Sequence, residues 1–189
     1  MSGDYFEVLR MPQLLVFEEA ELKDAWHRAA SEANPSEAEA IHGAYSVLRD
    51  PARRIEHVLA LHSRTTASAE QPGARLFDLF FSVASALKAA DAVVAQIEAA
   101  ATALQRAGLA PRLLGSLDEL AEARTAVQSQ RAARETSLQE LAARFPRLTD
   151  ADWETLTSLG SDFSFLTKWA GEIQKRETRL QEMLIGQMA

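Results

Sequence analysis

The sequence predicts an all-α protein, and three observations carry that expectation. Of 189 residues, 35 are Ala and 24 are Leu, whereas Val and Ile together number 13. Strong helix formers dominate, and the β-branched residues that suit strands are scarce. Apolar residues recur at spacings of three and four along most of the chain, as they do on one face of a helix. Ser, Thr or Asp stands before several of these runs, with a carboxylate or proline at the spacing that caps a helix. Over a third of the 47% hydrophobic content is Ala, and small side chains bury little area each. Long helices packed lengthwise fit that composition better than a thick globule.

The elements follow in order. Asp4 to Leu9 is a short apolar turn ending near Pro12. A helix is predicted from about Glu18 to Glu32, with Leu22, Ala25, Trp26 and Ala29 on one face. Asn34-Pro35 stops it, because the residue before proline is pushed out of the helical region. Ser36 with Glu39 reads as a capping box opening a third helix, whose stripe is Ile41, Ala44, Tyr45 and Leu48. Asp50-Pro51 is a strong start for a fourth, carrying Ile55, Val58, Leu59 and Leu61. Residues 63–73 are small and polar, end in Pro-Gly and read as a linker.

A long helix is expected over 74–107. Its seam of Leu76, Phe80, Val83, Leu87, Ala90, Val94, Ile97, Ala101 and Leu104 alternates steps of four and three, and Gly108 reads as its C-terminal cap. Ser116 with Glu119 predicts the start of another helix, ending near Arg144 before Pro146. Thr149 caps a last one from Asp150 to about Leu184, where Gly160 suggests a bend or a close helix approach. Short connections between three long helices imply an antiparallel bundle. Residues 1–62 hold 11 acids, 6 bases and all four histidines, and the remainder 16 acids and 14 bases. Two units of different character are therefore expected, 1–62 and 74–189.

Composition excludes several functions. With no Cys there are no disulfides, thiol nucleophiles, Cys-ligated zinc or protein-ligated iron–sulfur cluster. A net charge of −7 without a basic block is a poor fit to nucleic acid. No run approaches the roughly 18 apolar residues that cross a bilayer, and Met1-Ser2-Gly3-Asp4 lacks the pattern of a signal peptide. A cytoplasmic protein is expected. There is no glycine-rich phosphate loop and no nucleophile elbow, so neither an enzyme nor a cofactor is expected. No pair among His27, His42, His57 and His62 has the i, i+4 metal spacing. They are expected at the surface or between domains, and no metal site is expected. Trp26 and Tyr45 are read as core, Trp153 and Trp169 as bundle core or edge, and Arg53-Arg54 as a solvated face.

The first unit resembles a J-domain. Asp4-Tyr5-Phe6-Glu7-Val8-Leu9 matches the usual opening. Leu22 to Arg28 sits where J-domains carry a basic second helix, and Ile41 to Pro51 matches the third-helix signature. Arg53 to His62 narrows the likeness to the HscB-type iron–sulfur co-chaperones. Their three-helix C-terminal domain is similar to the second unit, with Trp153 twelve residues before Phe165-Leu166-Thr167-Lys168-Trp169. The resemblance implies a DnaK-class chaperone bound through helix II and a His-Pro-Asp loop, and a cluster-assembly scaffold bound on the bundle. In such proteins, stimulated ATP hydrolysis commits the chaperone to the scaffold.

The chain departs from the family at both surfaces. The His-Pro-Asp triplet falls on Asn34-Pro35-Ser36, so the imidazole and the carboxylate are lost. The basic stripe is reduced to Lys23, His27 and Arg28, opposed by Glu21, Asp24 and Glu32. Impaired ATPase stimulation is expected, unless the loop is adapted to a divergent chaperone. The family's apolar scaffold-binding residues fall on Leu76, Phe77, Phe80 and Phe165, with Phe81 beside them. Its accompanying glutamates fall on Phe81 and Ala84. On residues alone, Phe80 belongs to the seam, while Phe77 and Phe81 share an adjoining face. Those two either pack under the linker or against the J-like unit, or they form a partner-binding patch. Two functional classes follow. One is a co-chaperone or adaptor in iron–sulfur assembly or client handling. The other is a structural or oligomerisation module whose seam serves self-association.

Overall fold

The computed structural model describes residues 3–64 and 76–188 and is all-α, with no strand among them. The helices are α1 (Tyr5–Val8), α2 (Glu19–Glu32), α3 (Ala38–Arg49), α4 (Pro51–Leu61), α5 (Phe77–Ala99), α6 (Ala103–Gly108), α7 (Ala110–Ala142) and α8 (Asp150–Met188). They form two compact units, Met1–Glu70 with Ala133–Ser164, and Gln71–Ala132 with Phe165–Ala189. The segment read above as one bundle thus contributes residues to both units. Most of the linker, and the start of the following helix at 74, lie outside the described residues.

In the first unit the local signals act largely as read. The Asp4 carboxylate accepts the Phe6 N–H at 2.9 Å and starts α1. The Asp50 carboxylate accepts the Arg53 N–H at 3.1 Å, with Pro51 in the first helical position of α4. Phe6, Leu22, Ala25, Ile41, Ala44, Leu48, Ile55, Val58 and Leu59 are buried in one cluster with Leu138, Leu141, Trp153, Leu156, Leu159 and Phe163. At Gly160 an added Cβ would stand 3.0 Å from Ile55 Cγ2. This glycine marks a close approach of α8 to α4. Thr149 and Asp152 cap α8 reciprocally, the hydroxyl accepting the Asp152 N–H at 3.3 Å and the carboxylate accepting the Thr149 N–H at 3.0 Å.

Three expectations at helix ends are corrected. Ser36 caps nothing among the described residues. Helix α3 begins at Ala38, and the Glu37 carboxylate accepts the Asn34 N–H at 2.9 Å. The helix expected over 74–107 ends at Ala99, because Thr102 and Gln105 form a capping box that opens α6. Beyond that break, Leu104 is exposed rather than on the seam. Ser116 does not start a helix either. Helix α7 already begins at Ala110, with Pro111 in its first turn, where a missing N–H costs nothing. Ser116 is buried inside it.

In the second unit the buried residues of α5 are Val83, Ala86, Ala90, Val93 and Ile97, joined by Leu76 just before the helix. They pack with Leu113, Leu120, Ala123 and Val127 of α7 and Leu166, Trp169, Ile173 and Leu180 of α8. Phe80, expected on the seam, is 39% exposed at its edge.

Candidate functional site

Two surfaces carry the residues singled out in the sequence. On the first unit, Lys23, His27 and Arg28 are exposed on α2, and Asn34, Pro35 and Ser36 are exposed in the turn that follows. Asn34 and Glu37 close this turn on each other. The Glu37 N–H donates to the Asn34 carbonyl at 2.9 Å, while the Glu37 carboxylate takes the Asn34 N–H. The carboxylate nearest the loop is therefore engaged within the loop. Lys23 and Arg28 form no ion pair among the described residues. Two acids of α2 are ion-paired, Glu32 with Arg10 at 2.5 Å and Glu19 with Arg49 at 3.7 Å. Trp26 is half-buried. Its ring lies 4.5 Å from His27, 5.5 Å from His42 and 5.1 Å from Tyr45, so His27 rests on an aromatic shelf shared by α2 and α3.

On the second unit Phe77 is 53% and Phe81 56% exposed. Large aromatics in adjacent turns, both exposed, form an apolar patch of the kind that marks a contact surface. Phe77 and Phe81 meet edge to face at 4.9 Å, and Phe81 meets Phe80 at 5.4 Å. Trp169 of α8 is buried beneath them, 6.2 Å from Phe80 and 5.9 Å from Phe165. The structure thus brings four of the five expected patch residues into one chain of ring contacts, with Trp169 as its hub. The fifth, Leu76, is fully buried in the core and presents nothing to a partner.

The charges around this patch were not singled out in the sequence. At about 100° per residue, Phe77 and Lys88 both project within about 40° of Phe81 on α5. On α8, Lys168 projects within about 20° of Arg179 by the same geometry. Arg179 pairs with Glu98 at 2.7 Å, and Arg176 makes a two-pronged pair with Asp91 at 3.1 and 3.2 Å. These pairs identify the flanks on which α5 and α8 face each other. Lys88 and Lys168 are exposed and form no ion pair among the described residues. The signal available in the sequence was spacing, since Lys88 is seven residues after Phe81 and Lys168 three after Phe165.

Two further expectations are corrected. His57 is neither at the surface nor between domains. It is buried within the first unit, its Nε2 accepting the Tyr5 N–H at 3.0 Å and its ring lying against Tyr5 and Phe6. Arg54 is not on a solvated face. It is buried, donates to the Leu48 carbonyl at 2.8 Å and lies over the Phe17 ring at 4.5 Å. Burial lowers its pKa to about 10, against the pull of Asp50, so it stays charged at neutral pH. Among the described residues there is no cluster of three His, Asp or Glu side chains placed to hold a metal. No helix among them is long and apolar enough to cross a membrane.

The architecture is thus a group of short helices, α1 to α4, followed by the longer helices α5, α7 and α8. No family model matches the sequence, and no curated protein matches it. A solved structure, the chaperone HscB from Vibrio cholerae, is similar to it with a TM-score of 0.57 at 18% identity. The match covers 94% of this chain and 99% of that one. At this identity the likeness shows the fold.

Proposed function

We propose that this chain is a non-catalytic co-chaperone or adaptor that grips a partner protein through the aromatic patch of its second unit. The observation that carries the reading is the pair of half-exposed rings, Phe77 and Phe81, linked through Phe80 to a buried Trp169. Two aromatic side chains held in water on a rigid helix lose apolar burial that only a partner restores. The shared HscB-type fold supports work beside a DnaK-class chaperone and an iron–sulfur scaffold protein, in cluster assembly or client handling, in the cytoplasm. The rival role in self-association draws less support. The face of α5 that carries Val83, Ala86, Ala90, Val93 and Ile97 is already taken up by the unit's own core.

The ATPase arm of such a co-chaperone is impaired in this proposal. Ser36 supplies no carboxylate, and the neighbouring Glu37 carboxylate is turned back onto the Asn34 N–H. Lys23, His27 and Arg28 remain exposed for a weak chaperone contact.

One paired experiment tests both arms. A steady-state assay with the host's own DnaK-class chaperone is expected to show no stimulation above the basal rate. Scaffold capture is expected to fall about 30-fold when Phe77→Ala and Phe165→Ala are combined, the loss that follows from removing about 2 kcal/mol of aromatic contact. The variant should keep wild-type helicity by circular dichroism. Unchanged capture would remove the site assignment, and robust stimulation would restore a full co-chaperone.

A further inference from the structure

Resting on the patch reading above, we propose that its occupant is an amphipathic segment of another protein whose apolar face is bordered by acidic side chains. Phe80 projects within about 20° of Asp91 and Glu98, on the α5 flank that faces α8, while Phe77, Phe81 and Lys88 lie on the solvent side of that flank, and the charges around them decide what can settle there. Further along, the flanks are laced by Asp91 with Arg176 and Glu98 with Arg179. The Glu172 carboxylate is held by Lys175 and Arg176. These groups are already neutralised in pairs. Beside the rings the balance is different.

Lys88 continues the Phe77–Phe81 face two turns further along α5, and Lys168 borders Phe165 on α8. Both are exposed and without an ion pair among the described residues. The nearest exposed acid on α5, Asp78, projects about 60° from Phe81, on the side away from Phe77 and Lys88. The rim of the patch toward α8 is therefore positive, although the whole chain carries a net charge of −7.

A partner segment lying on the rings brings its flanking side chains within reach of Lys88 and Lys168. Lysine flanks would meet like charge, whereas glutamate or aspartate flanks would form two rim ion pairs. Each such pair adds little stability when exposed, but together they select against the wrong partner, because juxtaposed like charges cost several kcal/mol. Apolar contact supplies the affinity, and the two lysines supply the choice.

The test uses two helical probe peptides of about 16 residues, long enough to populate helix. They share one Leu/Phe face; one is flanked by Glu and the other by Lys. Binding to the full-length protein is read by fluorescence anisotropy. The Glu peptide is expected to bind about tenfold more tightly at low salt. The preference should shrink toward unity near 1 M salt, where the screening length falls to about 3 Å. Combining K88E with K168E should reverse the preference, and combining F77S with F81S should abolish binding of both peptides.

Equal affinity for the two peptides, still lost in the Phe variant, would overturn the charge rule and leave the patch intact. Binding indifferent to F77S and F81S would overturn the patch reading itself. No binding of either peptide up to about 1 mM, an affinity of about −4 kcal/mol, would overturn the proposal. A concentration-dependent dimer abolished by F81S would seat a second copy of the chain on the rings, which also overturns it.

Discussion

Arg134 and Asp162 show what single residues decide in this protein. Arg134 occupies a seam position of α7, seven residues after Val127 and four before Leu138, where an apolar side chain would be expected. It is buried, and its Nε donates to the Asp162 carboxylate at 3.0 Å. Removing one partner strands the other charge out of water. Arg134→Met is therefore expected to destabilise by about 3–5 kcal/mol in urea denaturation, with much of the loss recovered by adding Asp162→Leu. An unaltered midpoint in the single variant would mean that water reaches Asp162.

Asp4 sets an acid limit at the same scale. Burial pushes its carboxyl up, but hydrogen bonds from Gln13 and the Phe6 N–H outweigh this and hold it below the ordinary 3.8. The folded state thus favours the ionised form. That stabilisation is complete above pH about 4 and disappears as pH falls through the lower folded-state value. Asp152, held down by Arg144 and Thr149, acts in the same sense. Denaturant midpoints should fall as pH drops below about 4, less steeply in Asp4→Asn; an equal slope in that variant would refute the role. Arg54 was misjudged in the sequence for a different reason. It lies four residues before Val58, on the buried face of α4, but its charge argued for solvent until Phe17 and the Leu48 carbonyl were seen to cover it.

At the scale of elements, helix starts were legible where the cap and the following apolar stripe agreed, as at Asp50 and Thr149. They were misplaced where a cap-like pair lay inside or beside a helix. Ser116 and Glu119 satisfy the capping spacing, yet Pro111 had already opened α7. Thr102 and Gln105 satisfy it as well, and there the box does operate. Local pattern cannot separate these cases, because a capping residue gains its hydrogen bond only if the chain before it leaves the helix. Gly160 is the element whose reading can be tested most directly. Ile55 Cγ2 stands 3.0 Å from where a Cβ would be. Gly160→Leu should therefore force α8 from α4 and cost about 1–3 kcal/mol of overpacking strain, despite leucine's better helix propensity. A variant as stable as the wild type in thermal melts would show that the contact yields.

For the whole molecule, the sequence by itself determined the helical class, most helix boundaries, the likeness to a J-domain followed by long helices, and the absence of thiol chemistry. Those properties follow from composition, periodicity and short motifs, which act within a turn or two of the chain. Tertiary structure alone decided how apolar residues were spent. Leu76 went to the core while Phe77 and Phe81 remained in water, and Phe80 sits at the edge over Trp169. The seven-residue repeat ranks faces but does not say which face another helix will cover, nor where a break such as Thr102 will end the seam. Tertiary packing also assigned His57 and Arg54 to the interior and left Lys88 and Lys168 beside the exposed rings. The physical reason is that burial belongs to pairs of residues distant in sequence. A side chain's fate depends on the neighbour that folding brings to it, here Ile55 against Gly160 and Trp169 against Phe80.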